Sequence, residues 1–101
     1  MIAIKVTYTI KEDYVDANKE NIQIFLDDFK KLDNHQFVYT IFQVNGSNTF
    51  IHMSQYKNEA IQKELLNMPA FLEFQKQRDL HLLSESIIES LTQIGISKNI
   101  W

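Results

Sequence analysis

Two neighbouring stretches, Phe37–Val44 and Thr49–Tyr56, carry large apolar side chains at both odd and even positions. They flank Asn45-Gly46-Ser47-Asn48, whose Asn and Gly tolerate the positive φ that a chain reversal needs. The segment therefore reads as a β-hairpin with two greasy faces, unlike a sheet with one side in water. With an even loop, one face carries Phe37, Tyr39, Ile41 and Gln43 beside Phe50, His52, Ser54 and Tyr56. The other carries Val38, Thr40, Phe42 and Val44 beside Thr49, Ile51, Met53 and Gln55. Each large apolar side chain hidden contributes about 1.5–3 kcal/mol, so both faces call for a cover.

The rest of the chain supplies a cover for one face only. Ile2, Ile4, Val6, Tyr8 and Ile10 alternate with Ala3, Lys5, Thr7 and Thr9, which is the period of a strand. After Lys11-Glu12-Asp13, with Asp13 the expected N-cap, an apolar stripe of Val15, Asn18, Ile22, Phe25, Leu26, Phe29 and Leu32 predicts an amphipathic helix. Beyond the hairpin, Asn58 caps a short helix expected over 59–66. Pro69 opens a longer one with the stripe Phe71, Phe74, Arg78 and Leu82. Ile87–Ile94 reads as a last strand, and Gly95 bends the chain into an apolar tail ending at Trp101.

The order strand–helix–strand–strand–helix–strand is α+β and ferredoxin-like, βαββαβ, an antiparallel sheet with its helices on one face. No linker or low-complexity tract divides residues 1–101, which are expected to form one domain with a core over 1–94 and a tail over 95–101. The uncovered face is met most economically by a second copy of the chain, with the tail at the interface, so a homodimer is expected.

Bulk properties narrow the partners. The 45% hydrophobic and 23% charged fractions are ordinary for a globular chain, and two Gly and one Pro argue against disorder. Net charge is −3 with basic residues scattered, which argues against nucleic acid as partner. An RNA-recognition module would want a basic residue and a glycine in Asn48-Thr49-Phe50-Ile51-His52, and an amino-acid-binding regulatory module a glycine in Lys11-Glu12-Asp13; neither is there. No apolar run approaches the roughly 18 residues of a membrane span. Cysteine is absent and the first residues alternate like a strand rather than a leader, so a cytoplasmic location is expected.

The chemically interesting face is the first. Tyr39, His52, Ser54 and Tyr56 set an imidazole, a hydroxyl and two phenols among aromatic walls, a mixture suited to a planar, partly polar ligand. The alternative is a core histidine hydrogen-bonded to a tyrosine or a backbone carbonyl. His35 falls in a turn and His81 near a helix end, both expected at the surface. No His/Asp/Glu spacing resembles a metal site, and two glycines build no nucleotide-binding loop, so no cofactor or metal is expected.

Length, element order, Thr49-Phe50-Ile51-His52 leading to Tyr56, and Met68-Pro69-Ala70-Phe71-Leu72-Glu73-Phe74-Gln75 together resemble the antibiotic biosynthesis monooxygenase-like proteins of the dimeric α/β barrel superfamily. The resemblance spans nearly the whole chain and implies two protomers packing their sheets into a barrel, with a pocket between sheet and helices. Characterised relatives include cofactor-independent monooxygenases of quinol-like aromatics. On that footing His52 is the candidate catalytic base, and Tyr39, Ser54 and Tyr56 the candidate substrate-binding residues. The haem-degrading branch carries a helix tryptophan, whereas the one Trp here is Trp101. Ser54 also stands where many members have a glutamate. The rival reading is a non-catalytic homodimer that binds a small ligand or serves an accessory role.

Overall fold

The period-two alternation at the start of the chain forms β1 (Ile2–Thr9), the hairpin forms β2 (Phe37–Gln43) and β3 (Thr49–Tyr56), and β4 spans Ile87–Leu91. The computed structural model describes all residues, Met1–Trp101. The four strands make one antiparallel sheet in the order β2-β3-β1-β4. The hairpin loop is even: Val44 N–H donates to Thr49 O (2.9 Å) across Asn45–Asn48, and Gly46 takes the positive φ of 71°. Phe37 therefore pairs with Tyr56 and Ile41 with His52, keeping the two hairpin faces separate.

The helices are α1 (Val15–Phe29), α2 (Glu59–Leu66) and α3 (Pro69–Asp79). Their buried residues Ile22, Phe25, Phe29, Ile61, Leu65, Phe71 and Phe74 share one core with Tyr8, Phe37, Phe50 and Tyr56 of the sheet. The helices thus cover the face that carries His52. This is the α+β, ferredoxin-like arrangement expected from the element order. Met68 is extended (φ −65°, ψ 132°), as a residue before proline must be, and this breaks the α2–α3 segment.

The opposite face has no helix over it. Phe42 and Ile87 are 54% and 59% exposed there, with Val38, Ile51 and Met53 half-buried beside them. Past β4, Gln55 Nε2 donates to Gln93 Oε1 (3.3 Å) near the Ala3 end of this face, and Lys57 Nζ lies 5.8 Å from the Trp101 ring centroid.

Three local expectations are corrected. Asp13 is not an N-cap: Glu12–Tyr14 form a 3₁₀ turn ahead of α1, and neither flanking residue makes a side-chain cap bond. Leu82 lies beyond α3 and pairs with Ile10 as an isolated bridge, continuing the β1 edge rather than the helix. β4 ends at Leu91 rather than Ile94: Leu91 pairs with Ala3, so Thr92 falls opposite Ile2, the first residue of β1, and the residues after it run past the start of that strand.

Asn58, in contrast, caps α2 as expected, its Oδ1 accepting from Ile61 N–H at 3.1 Å. Asn58→Ala should therefore cost about 1 kcal/mol. Asp13→Ala, which removes no cap bond, should stay within about 0.5 kcal/mol of the parent. Urea midpoints for the two variants check both values.

Candidate functional site

His52, Ser54 and Tyr56 point from alternate positions of β3 to the helical side, and Tyr39 joins them from β2 opposite Ser54. All four line one cavity of about 290 Å³ between the sheet and α2–α3. Ile4 and Val6 of β1, Phe71 and Arg78 of α3, and Ser86 and Ile88 at β4 complete the main part of its wall. The four side chains chosen from the sequence are thus brought together. His35 is exposed in its turn. His81 is half-buried instead of free at the surface, stacked 3.7 Å from the Tyr14 ring with Nδ1 2.8 Å from Gln77 O.

His52 is itself 2% exposed. Its Nε2 lies 2.8 Å from the Tyr8 hydroxyl and its Nδ1 2.8 Å from the Tyr39 hydroxyl. Phe25 and Phe74 pack against the imidazole with ring centroids at 6.1 and 5.6 Å. Burial, with the Arg78 charge as a second cause, pushes its pKa from the ordinary 6.5 down to about 3. The imidazole is neutral at physiological pH, with one donor nitrogen and one acceptor. Burial raises the Tyr8 phenol to about 12 and the Tyr39 phenol well above its usual 10. It raises Tyr56 as well, against an opposing effect of the Ser54 hydroxyl. All three phenols keep their protons.

The direction of the hydrogen bonds follows from a buried amide. Asn18, fully buried on α1, donates from Nδ2 to the Tyr8 hydroxyl (3.0 Å), and its Oδ1 has no partner. The reversed amide would orphan the NH₂ group instead, and an orphaned N–H is rarer than an orphaned carbonyl oxygen. With its oxygen accepting from Asn18, Tyr8 donates its proton to His52 Nε2. His52 Nδ1–H then donates to the Tyr39 oxygen, and the Tyr39 proton is left to turn toward the cavity. The chain Asn18–Tyr8–His52–Tyr39 carries a proton donor to the cavity wall through a neutral histidine.

Tyr8, Asn18 and Arg78 were not singled out as functional from the sequence. Their signal was polarity at apolar positions: Asn18 and Arg78 sit in the two helix stripes, and Tyr8 on the alternating face of β1.

Between pH 6.5 and about 3 the unfolded chain binds a proton on His52 that the folded chain refuses. Stability contributed by the neutral imidazole is complete above pH 6.5 and falls as the pH drops through that window, by on the order of a few kcal/mol. Unfolding free energies at pH 7, 5 and 4 should show this decline, and His52→Gln should flatten it relative to the parent.

No protein-family model matches the chain, and no curated protein matches it in sequence. Solved structures do match in shape. The crystal structure of an antibiotic biosynthesis monooxygenase matches 94% of this chain and 100% of its own, with a TM-score of 0.80 and 10% identity. Rv0793 from Mycobacterium tuberculosis matches 96% of this chain and 98% of its own (TM-score 0.79, 11% identity). A protein from Bacteroides thetaiotaomicron VPI-5482, provisionally named an antibiotic biosynthesis monooxygenase, matches 99% and 95% (TM-score 0.83, 11% identity). The likeness is one of fold: the chain has the antibiotic biosynthesis monooxygenase-like form of the ferredoxin-like fold.

Proposed function

We propose that the chain is a homodimeric, cofactor-independent oxygenase that takes a small quinol-like aromatic into the cavity. The observation that carries the reading is the pair Tyr39–His52, a phenol and a neutral imidazole in series at the wall of a cavity large enough for a ring compound. Tyr39 turns its proton to the cavity and donates it in a hydrogen bond to the oxygen of a substrate phenolate or enolate, while His52 Nδ1–H holds the Tyr39 oxygen in place. Ser54 and Tyr56 orient the ring, so the protein supplies position and a proton donor for the substrate anion. At an enolisable ring methylene the balance closes without a cofactor: the carbon becomes a carbonyl with one atom of dioxygen, and the second atom leaves as water with the two methylene hydrogens.

The homodimer reading rests on the uncovered sheet face. Phe42 and Ile87 are more than half exposed there, beside half-buried Ile51 and Met53, and sheet-to-sheet packing hides them. Ile94 and Ile96, 94% and 51% exposed, are further apolar side chains without a cover.

One observation favours a second reading, a ligand-binding protein without catalysis: both His52 nitrogens are already bonded and the ring is 2% exposed. Oxygen consumption with a panel of hydroquinols and anthrone-like compounds separates the two. The oxygenase predicts uptake that Tyr39→Phe lowers by about 10²-fold while the circular dichroism spectrum is unchanged. Binding with no uptake from any compound favours the second reading.

Sedimentation at micromolar concentration should give twice the chain mass, and Met53→Glu, at the centre of the open face, should give the single chain. A parent that sediments as one chain overturns the dimer.

A further inference from the structure

We propose that Arg78 makes the cavity an anion-accepting site, so that its ring compound carries an acidic oxygen (carboxylate, phenolate or enolate) against the guanidinium. The inference rests on the cavity being a ligand site and goes beyond it by naming the charge of the occupant.

Arg78 is an unusual side chain for its position. It lies at the end of α3 and is 9% exposed, with its guanidinium carbon 5.0 Å from the Tyr8 ring centroid and 5.6 Å from that of Phe74. A buried guanidinium needs partners for its donors and its charge. Its Nε and Nη2 both donate to a single oxygen of Asp79, at 3.1 and 2.9 Å, and Nη1 has no acceptor in the protein. Asp79 is 56% exposed, so water screens that pair and leaves much of the positive charge uncompensated on the cavity side.

No other ionised group answers it. The cavity wall holds no aspartate or glutamate, and its remaining titratable residues are Tyr39, His52 and Tyr56, all uncharged at neutral pH. The Arg78 charge reaches Tyr8, Tyr39 and His52, acting on the ionisation of each. A second polar atom at the wall also lacks a partner: Ser86 Oγ is buried and makes no hydrogen bond. An aromatic ligand with one acidic oxygen would meet Arg78 Nη1, and Ser86, on turning its side chain into the cavity, would donate to a second oxygen. A planar guanidinium also suits a carboxylate or enolate better than an ammonium does.

The test compares 1-naphthoate with 1-naphthamide, equal in shape and different in charge, by isothermal titration calorimetry on the full chain. The parent should bind the carboxylate about tenfold or more tightly than the amide, the scale of one hydrogen bond to a charged group. Arg78→Gln should bring the ratio near one, and Arg78→Lys should keep part of it. A purely structural arginine weakens both ligands alike and leaves the ratio untouched. Should Arg78→Gln fail to fold, the parent's ratio and that of Arg78→Lys still decide. Equal binding of the two compounds by the parent overturns the anion site and leaves the cavity as a ligand site. Binding of neither overturns both.

Discussion

The helical layer is narrower than the sheet, and the molecule is organised by where its coverage stops. Phe25, Phe29, Phe71 and Phe74 pack over β3 and its neighbours, Phe71 stacked on Phe74 and the other contacts edge-to-face or tilted, with contacting centroids 4.8–6.1 Å apart. This aromatic layer ends before β4: Ile88 faces the helical side and is 70% exposed. The cavity is the step between the covered strands and the uncovered one, which is why its wall joins core residues such as Tyr56 to open ones such as Ile88.

At that step a line of polar groups is buried, and only their mutual bonds make this tolerable. An unpaired buried donor or acceptor costs roughly 1–3 kcal/mol, and His52 alone presents two such atoms. Tyr8, from β1, and Tyr39, from β2, close both at 2.8 Å from opposite sides. Asn18 then orients the set, and the one unmatched hydroxyl proton falls at the cavity. A structural requirement, satisfying a core histidine, thus leaves a directional proton donor at a solvent-reaching wall. The reading of His52 as a core histidine bonded to a tyrosine describes this arrangement, and the same bonds reach the cavity wall.

Much of the fold was legible because its signals are local. Asn58 caps, Pro69 breaks, Gly46 turns and the parity of the hairpin loop are each decided within a few residues, and the structure has all four. Parity also grouped Tyr39, His52, Ser54 and Tyr56 before any strand order was known. What was not legible depends on neighbours from elsewhere in the chain. Tyr8 meets His52 only because β1 lies beside β3 with Tyr8 opposite Phe50, a register that no sequence pattern of β1 alone encodes. Asp13 had the chemistry of a cap, but the 3₁₀ turn took its place. Arg78 was visible as a charge inside an apolar stripe, yet what it faces was set by the gap over β4.

The open sheet face and the cavity are unlike in what they ask for, yet one strand belongs to both. Phe42, Ile51, Met53 and Ile87 are apolar and satisfied by any complementary apolar layer, whereas the cavity presents Arg78 and Ser86 with atoms that need specific acceptors and donors. β4 alternates between the two: Ile87 and Glu89 face the open side, while Ser86 and Ile88 line the cavity. The strand is five residues long and paired on one edge only, with β1, so little besides backbone hydrogen bonds holds the cavity's outer wall. A layer that covers Ile87 removes water from one side of that strand and steadies the positions of Ser86 and Ile88 on the other. A cover over the open face and the shape of the cavity would therefore be linked through β4, by the alternation of its side chains.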